Sequence, residues 1–165
     1  MRKMTLAALL ALAVPAAAFA DYTPSPTCLA QAACKSEKAQ MGTRTFKATH
    51  ATSTASGATK VCVAKRDGGA ETALKNAAKA CKAERAADPA GFTTKYGTNK
   101  NGKNAYGKCV SAKARQASEQ ETQARVNAAT SCKKLKAEQK AAFETAYGTK
   151  KNAFGKCVSK TAKAS

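Results

Sequence analysis

Residues 81–115 read CKAERAADPAGFTTKYGTNKNGKNAYGKCVSAKAR, and residues 132–163 read CKKLKAEQKAAFETAYGTKKNAFGKCVSKTAK. Both segments place a phenylalanine eleven positions after the first cysteine and a tyrosine four positions after that phenylalanine. Each continues with Tyr-Gly-Thr and, after a loop, with Asn-Ala-aromatic-Gly-Lys-Cys-Val-Ser, the later segment being three residues shorter in that loop. This agreement indicates a duplicated unit, so we interpret the chain as a repeat protein.

A third, degenerate copy of the unit lies upstream. Cys34 opens it, Phe46 follows twelve positions later, and Cys62 closes it after 27 intervening residues, as many as lie between the two cysteines of residues 81–115. His50 occupies the tyrosine position, four residues after Phe46, and we interpret it as the replacement of one ring by another. Residues 51–57 are rich in Thr, Ser and Ala, which favours a loop.

The local sequence of the unit predicts helices. Asp88 is a typical N-cap and Pro89 fits the first helical position, where its missing N–H costs nothing. Phe92 and Tyr96 then lie one turn apart on the same face. Gly97 is expected to end this short helix in the left-handed conformation.

The longest predicted helix joins two units. Residues 110–140 contain no Gly or Pro and are rich in good helix formers, so we predict one continuous helix from about Asn104 to Glu138, about 50 Å long. Asn104 and Asn152 are expected to cap the helices that carry the second cysteine of each unit. The predicted fold class is all-α, with tandem disulfide-linked helical hairpins joined by a long helix, elongated and without a large core.

The seven cysteines indicate disulfides that compensate for a thin core. From Asp21 onward the chain contains 3 Leu, no Ile, 5 Val and 4 Phe, too few to offset the entropy of ordering it. Cys28 is left over, and is expected to be free, to join a second chain or to compete with Cys34 for Cys62. The matched spacings predict the pairs Cys34–Cys62, Cys81–Cys109 and Cys132–Cys157.

Residues 1–20 are predicted to be a secretory signal peptide. Arg2 and Lys3 precede a short apolar run, and Ala18-Phe19-Ala20 fits cleavage after Ala20. The expected location is therefore secreted, either periplasmic or extracellular, and the alanine-rich signal is typical of bacteria. We divide the rest into a flexible linker (21–27), a degenerate first repeat (28–66), a second repeat (67–120) and a third repeat (121–165).

Neither a catalytic residue nor a metal or cofactor site is predicted. Metal sites gather Cys and His at close spacing, whereas the closest cysteines here are Cys28 and Cys34 and the chain has one histidine. A catalytic thiol needs a base within reach, and His50 lies in a predicted loop with no obvious carboxylate to orient it. The sequence contains no nucleophile elbow or phosphate loop, so we predict that the protein is not an enzyme.

The repeated unit Phe-x-x-x-Tyr-Gly-Thr…Asn-Ala-Phe-Gly-Lys-Cys-Val resembles that of a group of uncharacterised secreted bacterial proteins. These proteins carry one or more copies of a similar sequence, and the resemblance covers about residues 81–163. It implies export and disulfide-bonded repeats, and it implies nothing about activity. The first copy departs from this pattern.

The charge of the chain indicates the kind of partner. Without residues 1–20 it carries 27 Lys and Arg against 10 Asp and Glu, a net charge of +17. Such a surface attracts polyanions in a salt-dependent way, and the excess of Lys over Arg favours diffuse attraction over bidentate recognition. The expected contact residues are spread over the second and third repeats: Lys100, Lys103, Lys108, Lys133, Lys134, Lys150, Lys151 and Lys156.

Three functional classes follow from these observations. The first is a secreted protein that binds a polyanion such as a wall polymer, anionic headgroups or released nucleic acid. The second is an interaction module for another protein, including a dimer through Cys28, and the third is an enzyme of unknown class. No small-molecule substrate or transmembrane segment is expected, and the lysines also have a simpler interpretation, since they keep thin-cored helices soluble.

Overall fold

The computed structural model describes residues 24–164, which form six α-helices and no β-strand. The all-α fold class is thereby confirmed. The predicted signal peptide, including the cleavage site at Ala20, lies outside the described residues. The helices are α1 (Pro26–Thr49), α2 (Ala55–Ala87), α3 (Pro89–Tyr96), α4 (Ala105–Glu138), α5 (Lys140–Tyr147) and α6 (Ala153–Lys163).

Three helical hairpins share the two long helices. We call α1 with α2 the first hairpin, α2 with α4 the second, and α4 with α6 the third, because these helices pack pairwise. Each hairpin contains one disulfide with a Cα–Cα distance of 6.0 or 6.1 Å: Cys34–Cys62, Cys81–Cys109 and Cys132–Cys157. These are the pairs predicted from the spacing, and Cys28 is a free, exposed thiol.

The short helices α3 and α5 end differently although both are followed by Gly-Thr. Asp88 caps α3 as predicted, with Oδ1 accepting the N–H of Gly91 at 2.9 Å. The prediction for Gly97 is wrong, because its φ is −72°. Steric crowding requires glycine there instead, since a Cβ at Gly97 would lie 2.5 Å from the Thr93 carbonyl oxygen. Gly148 does adopt a positive φ, of 86°, where α5 ends.

Asn104 and Asn152 occupy the N-cap positions of α4 and α6, but neither side chain caps its helix. The Asn104 side chain turns back to the preceding loop, where Oδ1 accepts the N–H of Thr98 and Nδ2 donates to Thr98 Oγ1. The predicted side-chain caps are therefore wrong. At Asn104 the amide instead closes the loop between α3 and α4.

The predicted long helix is present as α4, which has 34 residues and a length of about 50 Å. Its two ends lie in separate apolar clusters. Phe92 and Val110 surround Cys109 near the first end, and Phe143 and Phe154 surround Cys132 near the other. The second and third hairpins therefore bury their aromatic rings in separate clusters.

The first hairpin is more regular than predicted. The expected loop at residues 51–57 ends at Thr54, because Thr54 Oγ1 accepts the N–H of Gly57 at 3.1 Å and starts α2 at Ala55. At the other end, the predicted linker at 21–27 overlaps α1. Ser25 is the N-cap of α1 and Pro26 its first residue, as preferred at a helix start.

The first hairpin also packs against the other two, which the prediction of separate hairpins without a large core did not include. Helix α1 contacts both α4 and α6. Leu29 is buried in the cluster around Cys109, and Met41 packs against the cluster around Cys132. At the contact with α6, a Cβ added to Gly155 would lie 2.3 Å from the carbonyl oxygen of Thr49. The elongated shape stays a prediction.

We expect Phe143→Ala to lower the free energy of unfolding by about 2–4 kcal/mol, because the ring is 1% exposed beside the Cys132–Cys157 disulfide. The measurement is denaturant unfolding of the oxidised protein. Thr145→Ala, at an exposed position of the same helix, is the control and should change the free energy by less than about 0.5 kcal/mol. A loss below about 0.5 kcal/mol for Phe143→Ala would contradict the packing described here.

We further expect reduction of the disulfides to unfold the hairpins while the middle of α4 keeps partial helicity. The disulfides join cysteines 25 or 28 residues apart, and each contributes about 3–4 kcal/mol in the chain-entropy model. Circular dichroism and thermal unfolding before and after reduction and alkylation measure this effect. An unchanged thermal midpoint would show that packing alone stabilises the fold.

Candidate functional site

A buried carboxylate joins three helices, namely α1 and α2 of the first hairpin and α4. The Glu37 side chain in α1 is fully buried, and its Oε2 lies 3.0 Å from Arg66 Nη2 in α2 and 3.0 Å from Arg125 Nε in α4. His50, just after α1, places Nε2 3.2 Å from Glu37 Oε1. We call these four residues, Glu37, His50, Arg66 and Arg125, the Glu37 cluster.

The electrostatics of the Glu37 cluster favour the ionised carboxylate. Burial alone would raise the pKa of Glu37, but the hydrogen bond to His50 and the charges of Arg125 and Arg66 lower this pKa to about 2. An ionised carboxylate only accepts hydrogen bonds, so His50 Nε2 donates to it. Burial lowers the pKa of Arg66, and the Glu37 charge opposes that change. One buried anion thus balances part of the charge of a buried guanidinium group, that of Arg66, and a partly buried one, that of Arg125.

The second hairpin has a more exposed version of this cluster, formed by the positions that correspond to Glu37, His50 and Arg66. Glu84 lies three residues after Cys81, as Glu37 lies three after Cys34. Its carboxylate accepts from the Tyr96 hydroxyl at 3.1 Å and pairs with Lys113 at 3.1 Å, and Lys95 adds a contact at 2.7 Å. Bonds from Lys95 and Lys113 lower the pKa of Glu84 to about 2.

In the third hairpin the corresponding positions are not charged. Leu135 lies three residues after Cys132, and it packs with Tyr147 against the apolar cluster. Thr161 takes the position of the basic residue, four after the second cysteine, and its Oγ1 lies 3.8 Å from Cys132 Sγ. These three positions therefore carry charged partners in the first two hairpins and uncharged side chains in the third.

The interpretation of His50 from sequence was right about its packing and wrong about its surroundings. The expectation that no carboxylate orients it is wrong, because Glu37 does so. Its ring nevertheless takes the place of the tyrosine ring. The ring-centroid distances in the three hairpins are similar: 4.6 Å for Phe46–His50, 5.0 Å for Phe92–Tyr96 and 5.2 Å for Phe143–Tyr147.

A signal for the Glu37 cluster exists in the sequence. Cys-x-x-Glu occurs at the first cysteine of the first two units, and a basic residue follows the second cysteine by four positions in both. Aligning Arg66 with Lys113 and Glu37 with Glu84 would have predicted an acid–base pair beside each disulfide. The contribution of Arg125 had no such signal, because it comes from the helix of another hairpin.

The Glu37 cluster also contains the atoms that bind metal ions in proteins. The ligand atoms of Glu37, His50 and Cys62 lie within 4.8 Å of one another, and all three residues are buried. In the oxidised protein Cys62 Sγ is bonded to Cys34, at 2.01 Å, and is not a thiolate. The disulfide form therefore offers a metal ion only one carboxylate and one imidazole here.

The lysines predicted to bind polyanions are dispersed over the structure. Lys100 and Lys103 are exposed in the turn between α3 and α4, and Lys108 is partly buried in the first turn of α4. The other five are exposed on the third hairpin: Lys133 and Lys134 in α4, Lys150 and Lys151 in the turn before α6, and Lys156 in α6.

A groove of about 370 Å³ lies between α1 and α4. Cys28, Leu29, Ala32 and Ala33 form much of its α1 wall, and Arg115 of α4 lies opposite. The exposed thiol of Cys28 thus lies at the edge of a largely apolar surface.

Comparison of the chain with models of known protein families, with curated proteins and with solved structures found no match. Within residues 24–164, no helix combines the length and the apolar character that crossing a membrane requires.

The depressed pKa of Glu37 predicts a specific loss of stability in acid. The pKa of Glu37 is about 2 in the folded state and 4.5 in the unfolded state. The ionised Glu37 carboxylate therefore stabilises the fold fully above pH 4.5, and this stabilisation is lost as the pH falls towards 2. The loss is about 3 kcal/mol in the free energy of unfolding. Denaturant unfolding at a series of pH values measures it.

Two variants identify Glu37 as the source of that acid sensitivity. Glu37→Gln should lower stability at neutral pH and make it less dependent on pH between 4.5 and 2, because the amide does not ionise. The dependence that remains includes the contribution of Glu84, whose pKa is also lowered to about 2. Glu138→Gln removes an exposed carboxylate from α4 and should leave the pH dependence unchanged. Equal profiles for the wild type and Glu37→Gln would contradict the charge assignment.

Proposed function

We propose that this protein is a secreted, non-catalytic binder of extracellular anionic polymers, and that the third hairpin provides its main contact surface. The observation that carries the proposal is the distribution of charge. Residues 132–164 contain nine lysines and two glutamates, a net charge of +7 within 33 residues. The three disulfides and the resemblance of the repeat to secreted bacterial proteins support a location in an oxidising space.

The acidic side chains of the first two hairpins are largely occupied by basic partners. Glu37 is buried between Arg66 and Arg125, Glu84 is bonded by two lysines, and Glu71 pairs with Lys75 at 2.6 Å. In the third hairpin, Glu144 lies 3.9 Å from Lys140. Residues 132–164 contain only one further acid, Glu138, so most lysines of that hairpin are available to an anionic partner.

The arrangement of α6 gives the lysines a common face. Phe154, Cys157 and Val158 are buried, and they lie on one side of the helix. Lys156, Lys160 and Lys163 follow at intervals of four and three residues, so they lie together on the opposite, exposed side. The rise between the first and last of these lysines is about 10 Å, which places three cationic groups along one line.

Several weak charge contacts of this kind add up on a long polymer, because each bound group raises the effective concentration of the next. Lysine ammonium groups attract anionic groups without demanding a fixed geometry. We therefore expect binding that is strong at low salt, weak in sequence or composition preference, and lost at a salt concentration of about 0.3 M.

The contact surface is tested by replacing Lys133, Lys134, Lys150 and Lys151 with glutamine. If these lysines neutralise phosphates, the slope of log K against log salt on single-stranded DNA should fall by about 3, since each contact contributes about 0.7. The control replaces four exposed lysines of α2, Lys65, Lys75, Lys79 and Lys82, and so removes the same charge. It should leave the slope almost unchanged.

Binding to heparin and to a purified wall polymer extends the test to other anionic groups. Equal losses in the two quadruple variants would show that net charge, and not the third hairpin, determines the attraction. Binding that resists salt would overturn the proposal and favour a protein partner.

A protein partner is the second candidate, and the groove between α1 and α4 favours it. The groove is largely apolar and has the free thiol of Cys28 at its edge. A second copy of the chain joined through Cys28 would appear as a dimer on a non-reducing gel and would be lost in Cys28→Ser. A monomer under oxidising conditions would exclude that form of partner.

A further inference from the structure

The Cys34–Cys62 disulfide differs from the other two in the side chains beside it. The Glu37 carboxylate and the His50 imidazole lie next to it, and the ligand atoms of Glu37, His50 and Cys62 are all within 4.8 Å of one another. In the second hairpin Tyr96 occupies the position of His50, and in the third Tyr147 does so. Neither phenol is a usual zinc ligand, so the first hairpin has a donor set that the others lack.

From this geometry we infer that the first hairpin binds one Zn²⁺ when the Cys34–Cys62 disulfide is reduced, through Cys34, Cys62, His50 and Glu37. Two thiolates, one imidazole and one carboxylate supply four ligands of the types that zinc binds in tetrahedral sites. The site exists in one redox state and is replaced by the disulfide in the other.

The donor atoms lie near the spacing of a tetrahedral site, and the two sulfur atoms have to move apart to complete it. Zinc–ligand bonds of 2.0–2.3 Å place neighbouring donors about 3.3–3.8 Å apart. His50 Nε2 lies 3.2 Å from Glu37 Oε1, and Cys62 Sγ lies 4.0 Å from Glu37 Oε2. The Cα atoms of Cys34 and Cys62 are 6.0 Å apart, so both sulfur atoms can bond the same metal ion once the bond between them is broken.

The surrounding charge is the same in the two states. In the disulfide form, Glu37 contributes −1 and the guanidinium groups of Arg66 and Arg125 contribute +2, while exposed Glu121, 3.9 Å from Arg66 Nη2, offsets part of that positive charge. In the zinc form, the metal adds +2 and the two thiolates add −2, so the sum does not change. Zinc therefore replaces the disulfide without leaving a new uncompensated charge in the protein interior.

A dithiol reductant can convert the Cys34–Cys62 disulfide into the zinc-binding form. The dithiol gives two electrons and two protons to the sulfur–sulfur bond, which leaves two cysteine thiols, and is itself oxidised to a disulfide. Zn²⁺ then takes the place of one proton on each thiol, and two protons are released to solvent. The Glu37–His50 hydrogen bond is exchanged for bonds from both groups to the metal.

The test reduces the full oxidised chain with a trialkylphosphine, which takes oxygen from water and becomes a phosphine oxide. Reduction is expected to unfold the hairpins, so metal binding and refolding of the first hairpin are expected together. Cobalt(II) alone is the first probe. We expect one Co²⁺ per chain with a thiolate-to-cobalt charge-transfer band and the intense visible bands of tetrahedral geometry. Adding Zn²⁺ should displace Co²⁺ and remove both the charge-transfer band and the visible bands. The unreduced protein should give neither, since its sulfur atoms are bonded to each other.

His50→Tyr is the matched variant, because it gives the first hairpin the residue of the other two. Residues that only support the ligands change metal affinity by up to about 100-fold when they are replaced. Replacing His50, a ligand itself, should weaken Co²⁺ binding by more than that. Thr52→Ala, nearby in the same turn, should bind as the wild type does. Equal Co²⁺ spectra for His50→Tyr and the wild type would overturn the proposal.

A measurement without any variant guards against effects on folding. In the reduced protein, Zn²⁺ should protect Cys34 and Cys62 from alkylation, as read by peptide mass mapping, and leave the four cysteines of the other hairpins reactive. Protection of all six cysteines alike, or of none, would overturn the proposal. Neither result bears on polyanion binding, which is measured on the oxidised protein.

Discussion

A disulfide fixes two helices at one separation, whatever their apolar content, and this constraint decides the packing of the whole protein. Alanine-rich helices bury little area, so their contacts alone would not select one arrangement. With the Cα atoms of each cysteine pair about 6 Å apart, the few aromatic rings are forced into the space beside the sulfur atoms. The small clusters around Phe92 and Phe143 thus form next to the covalent bond instead of creating the hairpin themselves.

The parts of the fold that follow from local sequence were predictable, and the contacts between hairpins were not. Cysteine spacing predicts the disulfides, and helix propensity predicts α4 from its long run without Gly or Pro. The identical Tyr-Gly-Thr sequences around Gly97 and Gly148 nevertheless have φ values of −72° and 86°. The loop after Gly97 is three residues longer and folds back on Thr93, so local sequence does not determine the turn.

The Glu37 cluster was missed for a related reason. Apolar patterning tells which face of a helix is buried, and α1 has almost no such pattern because alanines occur on every side of it. The burial of Glu37 depends on Arg125, which belongs to a helix of another hairpin and lies 88 residues away in sequence. A buried pair of charges adds little net stability, but an unpaired one is costly, so this cluster favours the single arrangement of α1, α2 and α4 in which every member is paired.

The close approach of Gly155 to the Thr49 carbonyl oxygen has a consequence for how such a chain changes during evolution. In an open array of repeats each unit meets only its neighbours, and units are gained or lost without disturbing the rest. Here α1 contacts α6 as well as α2, so the first and third hairpins are not independent of each other. Inserting or deleting residues between them would therefore disturb this contact.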